Sequence, residues 1–256
     1  MVDINHYSER LDEKINVSLQ DLPRHLKEYE SYKKKIPGTN KRIFKTYSLI
    51  FRLNAGYMIY LKRYKDYFHY IDLTTDCAYR HLKMSGTNEF YYQTNSIVSF
   101  EMIENALLSR KKKLIPKYLD LLNYKFSEIK KYPQPYKYNF SRGIVMKNLI
   151  LNKIDKVKKE LPVLHKYEGK GRKPIKYGLF NAIANQQKDE VIIELKNIFI
   201  YHLHRYNQVV EVPISLEGIA LTLLAIECGI PINIKTDFDE KIRQYIPEAC
   251  FINRDK

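Results

Sequence analysis

Asn105-Ala-Leu-Leu-Ser109, Asn148-Leu-Ile-Leu-Asn152 and Asn181-Ala-Ile-Ala-Asn185 write one short phrase three times, apolar between polar bookends. Each is followed by a charged turn and a second helical pattern. Behind the first stand Arg110-Lys111-Lys112-Lys113, then Leu114, Tyr118, Leu121 and Leu122. Behind the second stand Lys153, Asp155 and Lys156, then Val157, Leu161 and Leu164; behind the third stand Lys188-Asp189-Glu190, then Val191, Leu195, Ile198 and Phe199. A helix–polar turn–helix unit recurring at roughly 33–43 residues is the mark of stacked helical hairpins. The phrase therefore sets the fold class as all-α: stacked antiparallel helical hairpins in a repeat-like array, with little or no strand. Only residues 91–92 and 209–212 are β-prone, and both pieces are short. Such an array offers a surface, so binding is the first functional expectation.

Outward from the phrases, helical periods continue. Tyr7, Leu11, Ile15 and Leu19 predict a helix ending before Pro23, and a second covers residues 24–35, stopped by Pro37-Gly38. Ile43, Tyr47, Ile50, Phe51, Leu53, Tyr57, Met58 and Leu61 predict a long helix over residues 41–63, with a stripe wide enough to lie between other helices. Another runs over residues 65–84, closed by Gly86. Residues 85–96 break the period. They divide an N-terminal helical portion, residues 1–88, from the hairpin portion, residues 89–256, with the two able to pack as one domain. Ser99 has the position of an N-cap ahead of Phe100 and Ile103. Pro133-Gln134-Pro135 is expected to end the second helix of the first hairpin. Residues 166–174, with Gly169 and Gly171, read as a basic loop. The helix over residues 191–206 is apolar on nearly every side and is expected to be the most buried. Ser215 caps the helix after it, and Gly229 with Pro231 makes the stop.

Composition narrows the function classes. A chain of 256 residues with 45% hydrophobic and 29% charged residues is globular rather than disordered. The net charge of +15 points to an acidic partner (nucleic acid, an anionic membrane or an acidic protein) and equally to lysine-rich solvated faces. Cys77, Cys228 and Cys250 have no metal-ligand spacing and are odd in number, so free thiols in a reducing compartment are expected, with Cys77 and Cys228 buried. Residues 1–10 lack the apolar stretch of a signal peptide, and Glu217 and Glu227 interrupt the most apolar segment. The expected address is cytoplasmic, with no membrane partner.

Catalytic patterns are missing. The chain carries no Walker lysine motif, dinucleotide fingerprint, GxSxG or HExxH. Gly169-Lys170-Gly171-Arg172-Lys173 lacks the strand and spacing of a phosphate cradle. His202 and His204 lie two apart, so a helix points them to different sides, and no metal site is expected. Glu101 and Glu104 read as helix-start residues favoured by the macrodipole, as does Glu217. No catalytic residue and no cofactor are expected. Tyrosines interleave with basic residues over residues 57–67 and 132–138, a mixture that suits nucleic acid or a protein interface, or places half of the tyrosines in the core.

The hairpins Asn148 to Leu161 and Asn181 to Leu203, with the tail Pro213-Ile-Ser-Leu-Glu-Gly-Ile-Ala-Leu-Thr-Leu-Leu-Ala-Ile-Glu-Cys-Gly229-Ile-Pro-Ile232, resemble the immunity protein 49 family of bacterial polymorphic-toxin systems. Ile246-Pro247-Glu248 matches a proline typical near the family's closing end. The resemblance covers a little over half of the chain. The sequence departs from the family in its strongly basic balance and in the Lys188-Asp189-Glu190 turn. The resemblance implies a non-enzymatic protein that binds and neutralises a cognate toxin, with no catalytic residues to carry over. The basic balance adds an acidic contact surface on that toxin. The expected contact residues are the basic and aromatic loop residues Tyr136, Lys137, Lys170, Arg172 and Lys173. The alternative is a nucleic-acid-binding or regulatory helical-repeat protein using the same basic surface.

Overall fold

The computed structural model describes residues 4–34, 42–85, 92–109, 115–122, 131–167, 176–206 and 214–251. Every regular element among them is helical. The chain is all-α, and its helices are laid side by side as antiparallel hairpins.

The first helix, α1 (Ile4–Lys34), is one element where the sequence predicts two. Pro23 lies inside it. An interior proline costs about 3 kcal/mol through a lost hydrogen bond and a clash one turn back. Here Pro23 sits on the solvent side, while Leu11, Ile15, Leu22 and Tyr29 hold one continuous buried stripe. Burying each such side chain contributes about 1.5–3 kcal/mol, so the stripe outweighs the proline. α2 (Arg42–Tyr60) and α3 (Tyr64–Ser85) follow close to the expected bounds and pack along each other. Gly86, the expected terminator, lies outside the described residues. Leu22, Tyr29, Phe44, Tyr47, Phe51 and Cys77 make a small core from these three helices. Tyr29 meets Phe44, Tyr47 and Phe51 edge-on.

α4 (Tyr92–Leu108) begins inside the segment expected to be a loop, so Ser99 is no cap but a buried mid-helix residue. The reason is packing. α6 (Gln134–Ile150) crosses α4 at Gly143, where a Cβ would stand 2.9 Å from Ser99 Oγ. Two small residues let the backbones approach, and a cap propensity yields to that contact. Between them lies the short α5 (Ile115–Asp120). Pro133 is the N-cap of α6 and Pro135 lies in its first turn, so this pair starts a helix; residues 123–130, where the expected preceding helix would run, lie outside the described residues. α6 pairs with α7 (Ile154–Tyr167), α8 (Lys176–Ala184) with α9 (Lys188–Tyr206), and α10 (Leu216–Glu227) packs on α4, α6 and α9. Ser215 caps α10 as expected, accepting from the Gly218 N–H at 3.0 Å. The chain closes with α11 (Ile234–Asp237), α12 (Glu240–Arg243) and a 3₁₀ turn, Glu248–Cys250.

The expected burial order is reversed. α9 buries Val191, Leu195, Ile198 and Phe199 but leaves Ile193 51% and Ile200 42% exposed. α10 is the enclosed helix, buried at every position from Gly218 to Ala225. Its lower charge allows this: α9 carries Lys188, Asp189, Glu190, Glu194 and Lys196, which need water. Among the cysteines, Cys77 and Cys250 are buried and Cys228 is half-buried, where Cys77 and Cys228 are the expected pair. The main core runs from Leu11 to Cys250 and so draws on both sequence portions.

What repeats in space is the turn. Lys62, Asn152, Gln186 and Gly229 each adopt a left-handed backbone, with φ of 58°, 51°, 57° and 89°. Each sits just past a helix end with the same two bonds around it. Arg63, Lys153, Gln187 and Ile230 donate backbone N–H groups to the carbonyls of Met58, Asn148, Ala182 and Ala225 at 2.8–3.0 Å. The left-handed residues themselves donate to Ile59, Leu149, Ile183 and Ile226 at 2.9–3.1 Å. This is the Schellman arrangement, which satisfies carbonyls at a helix end while reversing the chain. The written phrase is not in one register with it: the left-handed residue is the phrase's last asparagine, Asn152, in the second copy, and follows the phrase in the third. Residues 110–114, after the first copy, lie outside the described residues.

Candidate interaction groove

The face of α2 that carries Leu49 and Leu53 looks away from the small aromatic core, and the two side chains stay 50% and 44% exposed. Four residues apart, they stand one above the other on the helix. Across from them lies the start of α10. An open groove of about 410 Å³ runs between, lined by Leu49, Arg52, Leu53, Glu101, His202, Ile214, Ser215, Leu216 and Glu217. Its walls are aliphatic and its polar residues come from α2, α4, α9 and α10.

Beneath it run ion pairs that link α2, α4, α6, α8 and α10. Lys45 of α2 pairs with Glu101 of α4. Arg52 gives one terminal nitrogen to Glu104 Oε2 at 2.8 Å and the other to the Asn105 side-chain oxygen. Glu104 Oε1 receives Arg142 of α6, whose other terminal nitrogen reaches Glu217 Oε1 at 2.8 Å. Lys176, at the start of α8, closes the chain on the same Glu217 oxygen at 3.4 Å. The Arg142 guanidinium also lies 4.1 Å from the Phe100 ring centroid. Glu104, Asn105, Arg142 and Lys176 are all buried.

Burial and pairing set the charge states. Burial pushes the Glu104 carboxyl up against the pull of Arg142 and Arg52. Burial likewise works against the Arg142 charge, but Glu104 and Glu217 outweigh it, so the guanidinium is held charged. For Glu217, burial is overcome by Lys176 and Arg142, which hold its carboxyl down at about 2. The start of α10 adds the positive end of a helix to the same carboxylate. Glu217 thus remains an anion across the working pH range. Proton transfer at neutral pH calls for a group that titrates near there, and Glu217 does not.

Neither Glu101 nor Glu104 is a helix-start residue; both sit in the second half of α4. Their role was hidden by separation, since the network's members stand at positions 45, 52, 101, 104, 142, 176 and 217. A signal existed nonetheless. Glu104-Asn105 interrupts Met102-Ile103 and Ala106-Leu107-Leu108, and Arg142 stands between Phe140 and Ile144-Val145-Met146. Charges inside runs with no polar face are paired when buried.

Of the five expected contact residues, Tyr136 and Lys137 lie in the first turn of α6, half-buried and outside the groove lining. Lys170, Arg172 and Lys173 lie outside the described residues, as does the side chain of His204. His202 does line the groove. In the first tyrosine-rich stretch Tyr57 and Tyr67 are buried in the core, while Tyr60 is 37% exposed. Among the described residues no group of three or more His, Cys, Asp or Glu is placed to hold a metal ion. No described helix is long and apolar enough to cross a membrane. No family model, curated protein or solved structure matches the chain.

Proposed function

We propose that the chain is a non-enzymatic immunity protein that binds a cognate antibacterial toxin and neutralises it by protein–protein contact. The observation that carries this reading is the groove: an open aliphatic cleft whose lining residues Arg52, Glu101 and Glu217 are each held by ion pairs to Glu104, Lys45, Arg142 and Lys176 behind it. A surface fixed by such cross-pairing is pre-organised, which lowers the entropy lost on binding a protein. The resemblance of the hairpins and tail to immunity proteins points the same way, and a cytoplasmic address goes with it, because the toxin is met in the cell that makes it. The net charge of +15 accelerates capture of a partner with an acidic surface.

The test is co-expression with the product of the adjacent gene. Protection of the cell and a stable one-to-one complex are the expected results. No protection and no complex would remove the reading. Retardation of DNA or RNA at low salt, lost steeply as salt rises, would favour the nucleic-acid alternative instead.

A further inference from the structure

The exposed charge of α7 is one-sided. Lys153, in the turn before it, and Lys156, Lys158, Lys159 and Lys166 on it are all exposed. The carboxylates of α7 are Asp155, exposed, and Glu160, half-buried. Val157, Leu161 and Leu164 face the core, so Lys156, Lys159 and Lys166 fall on the outward side, with Lys158 at its edge. Glu160 is engaged elsewhere: the Asn148 side-chain nitrogen donates to it at 2.9 Å, and burial pushes its carboxyl up against the pull of Asn148, Lys156 and Lys147. Among the described residues none of the five lysines forms an ion pair. On α1, α3 and α9, by contrast, cations find carboxylates: Arg24 with Asp21, Lys33 with Glu30, Arg80 with Asp76, and Lys188 and Lys196 with Asp237 and Asp239. The excess acts on its surroundings. Burial, with Lys153 and Lys156 adding to it against Asp120 and Glu160, holds the nearby Lys147 ammonium down. Like charges one turn apart repel and weaken the helix that carries them, and a row of anions laid along α7 relieves that repulsion.

From this unmatched charge we propose that the outward face of α7 is the docking surface for an acidic segment of the partner protein, bearing aspartates and glutamates along about 20 Å, the length from Lys153 to Lys166 at the helical rise. None of the five lysines lines the groove. A protein suits this face better than a nucleic acid does. Asp155 lies among the lysines on the outward side, where it opposes an unbroken row of phosphates but can pair with a basic residue of a protein. α7 also holds no arginine, and its described side chains include no tyrosine or phenylalanine, the forks and stacking platforms that nucleic acids draw on. Lysines of this kind contribute more to the rate of capture than to the strength of the complex. The inference rests on the toxin-binding reading for the identity of the partner, and the acidic-peptide arm below tests it apart from that reading.

Two triple variants of the full chain with the same net charge separate this face from the charge of the whole molecule. One carries Lys156→Glu, Lys159→Glu and Lys166→Glu; the other carries Lys27→Glu, Lys34→Glu and Lys65→Glu, at exposed lysines away from α7. Association rates at low salt are measured by stopped flow with three probes: the catalytically inactivated adjacent-gene product, a glutamate-rich helical peptide and a short DNA duplex. The α7 triple is expected to slow capture of the first two about 10-fold or more, and the second triple by less than about 3-fold. Lysine-to-glutamine versions of both triples repeat the comparison if a charge-reversal variant melts below the parent. Equal slowing by the two triples would overturn the face, because overall charge would then account for capture. Absence of peptide binding by the parent would overturn it as well. Tighter binding of the duplex than of the peptide, abolished in the α7 triple, would overturn the acidic-protein assignment in favour of nucleic acid. Capture of the peptide through α7 without binding of the adjacent-gene product would sustain the face and remove the toxin-binding reading.

Discussion

Around Tyr29 the chain buries a neutral hydroxyl; around Arg142 it buries full charges. Tyr29 is enclosed by Phe44, Tyr47 and Phe51, and burial pushes its hydroxyl well above the usual range, so it stays protonated and donates to Asp76. The charges of that region, Asp76 and Arg80, remain about one-third exposed. In the second region Glu104 and Arg142 are almost wholly enclosed. The first arrangement keeps desolvation small and takes its stability from aromatic contact. The second accepts the desolvation of ions, for which a buried pair returns little net stability over an apolar replacement. What the ions do supply is position. They link α2, α4, α6, α8 and α10 to one another beside the groove.

The difference is open to direct attack. Arg142→Ala takes away one of the two cations on Glu104 and one of the two on Glu217, leaving Arg52 and Lys176, and is expected to destabilise by about 3 kcal/mol in urea unfolding. Arg142→Met combined with Glu104→Leu and Arg52→Met removes the three charges together and is expected to recover much of that loss; a triple variant as unstable as the single one would mean the cluster is a true source of stability. Glu217→Gln comes next, and its effect depends on pH. The folded carboxyl lies at about 2 against an ordinary 4.5, so its contribution is complete above 4.5 and is lost as pH falls toward 2. The gap in melting temperature between parent and Glu217→Gln should therefore be full at neutral pH and closed near pH 2. Tyr29→Phe removes one hydrogen bond while Asp76 keeps Arg80, a loss of about 1 kcal/mol by the same unfolding measurement. The smallest change is a gain: Lys62→Gly relieves a left-handed backbone and is expected to stabilise by about 0.5 kcal/mol after the added chain entropy is counted.

The fold was more legible than the site because the two are written at different ranges. Ser215 before the apolar run of α10 and Gly229 after it mark that helix from local chemistry alone, and both are observed in those roles. Local chemistry misleads at Pro23 and Ser99, where a buried stripe and a close helix crossing outweigh a residue's own preference. The phrase at Asn148 and Asn181 leads to two true hairpins but hides the turn at Lys62, whose preceding residues, Met58 to Leu61, lack the phrase's opening asparagine. The groove needs Leu49 and Leu53 to face Ile214, a separation that no periodicity spans. Its electrostatics needs Arg52, Glu104, Arg142 and Glu217 to meet, and only the finished packing brings them together.

The four left-handed turns also bear on time. Each reverses the chain within a few residues, so the two arms of a hairpin are sequence neighbours and close quickly. The Arg52–Glu104 and Glu104–Arg142 pairs join residues 52 and 38 positions apart, and such long closures come later in folding. Hairpins are then expected to be in place at the rate-limiting step while the ionic junction is still open. On that ordering, Arg142→Ala leaves the refolding rate near the parent's in stopped-flow measurement and appears almost wholly as faster unfolding. The persistence of the native state would be governed at the same junction that shapes the groove, so a partner seated there would prolong the protein's lifetime as well as occupy it.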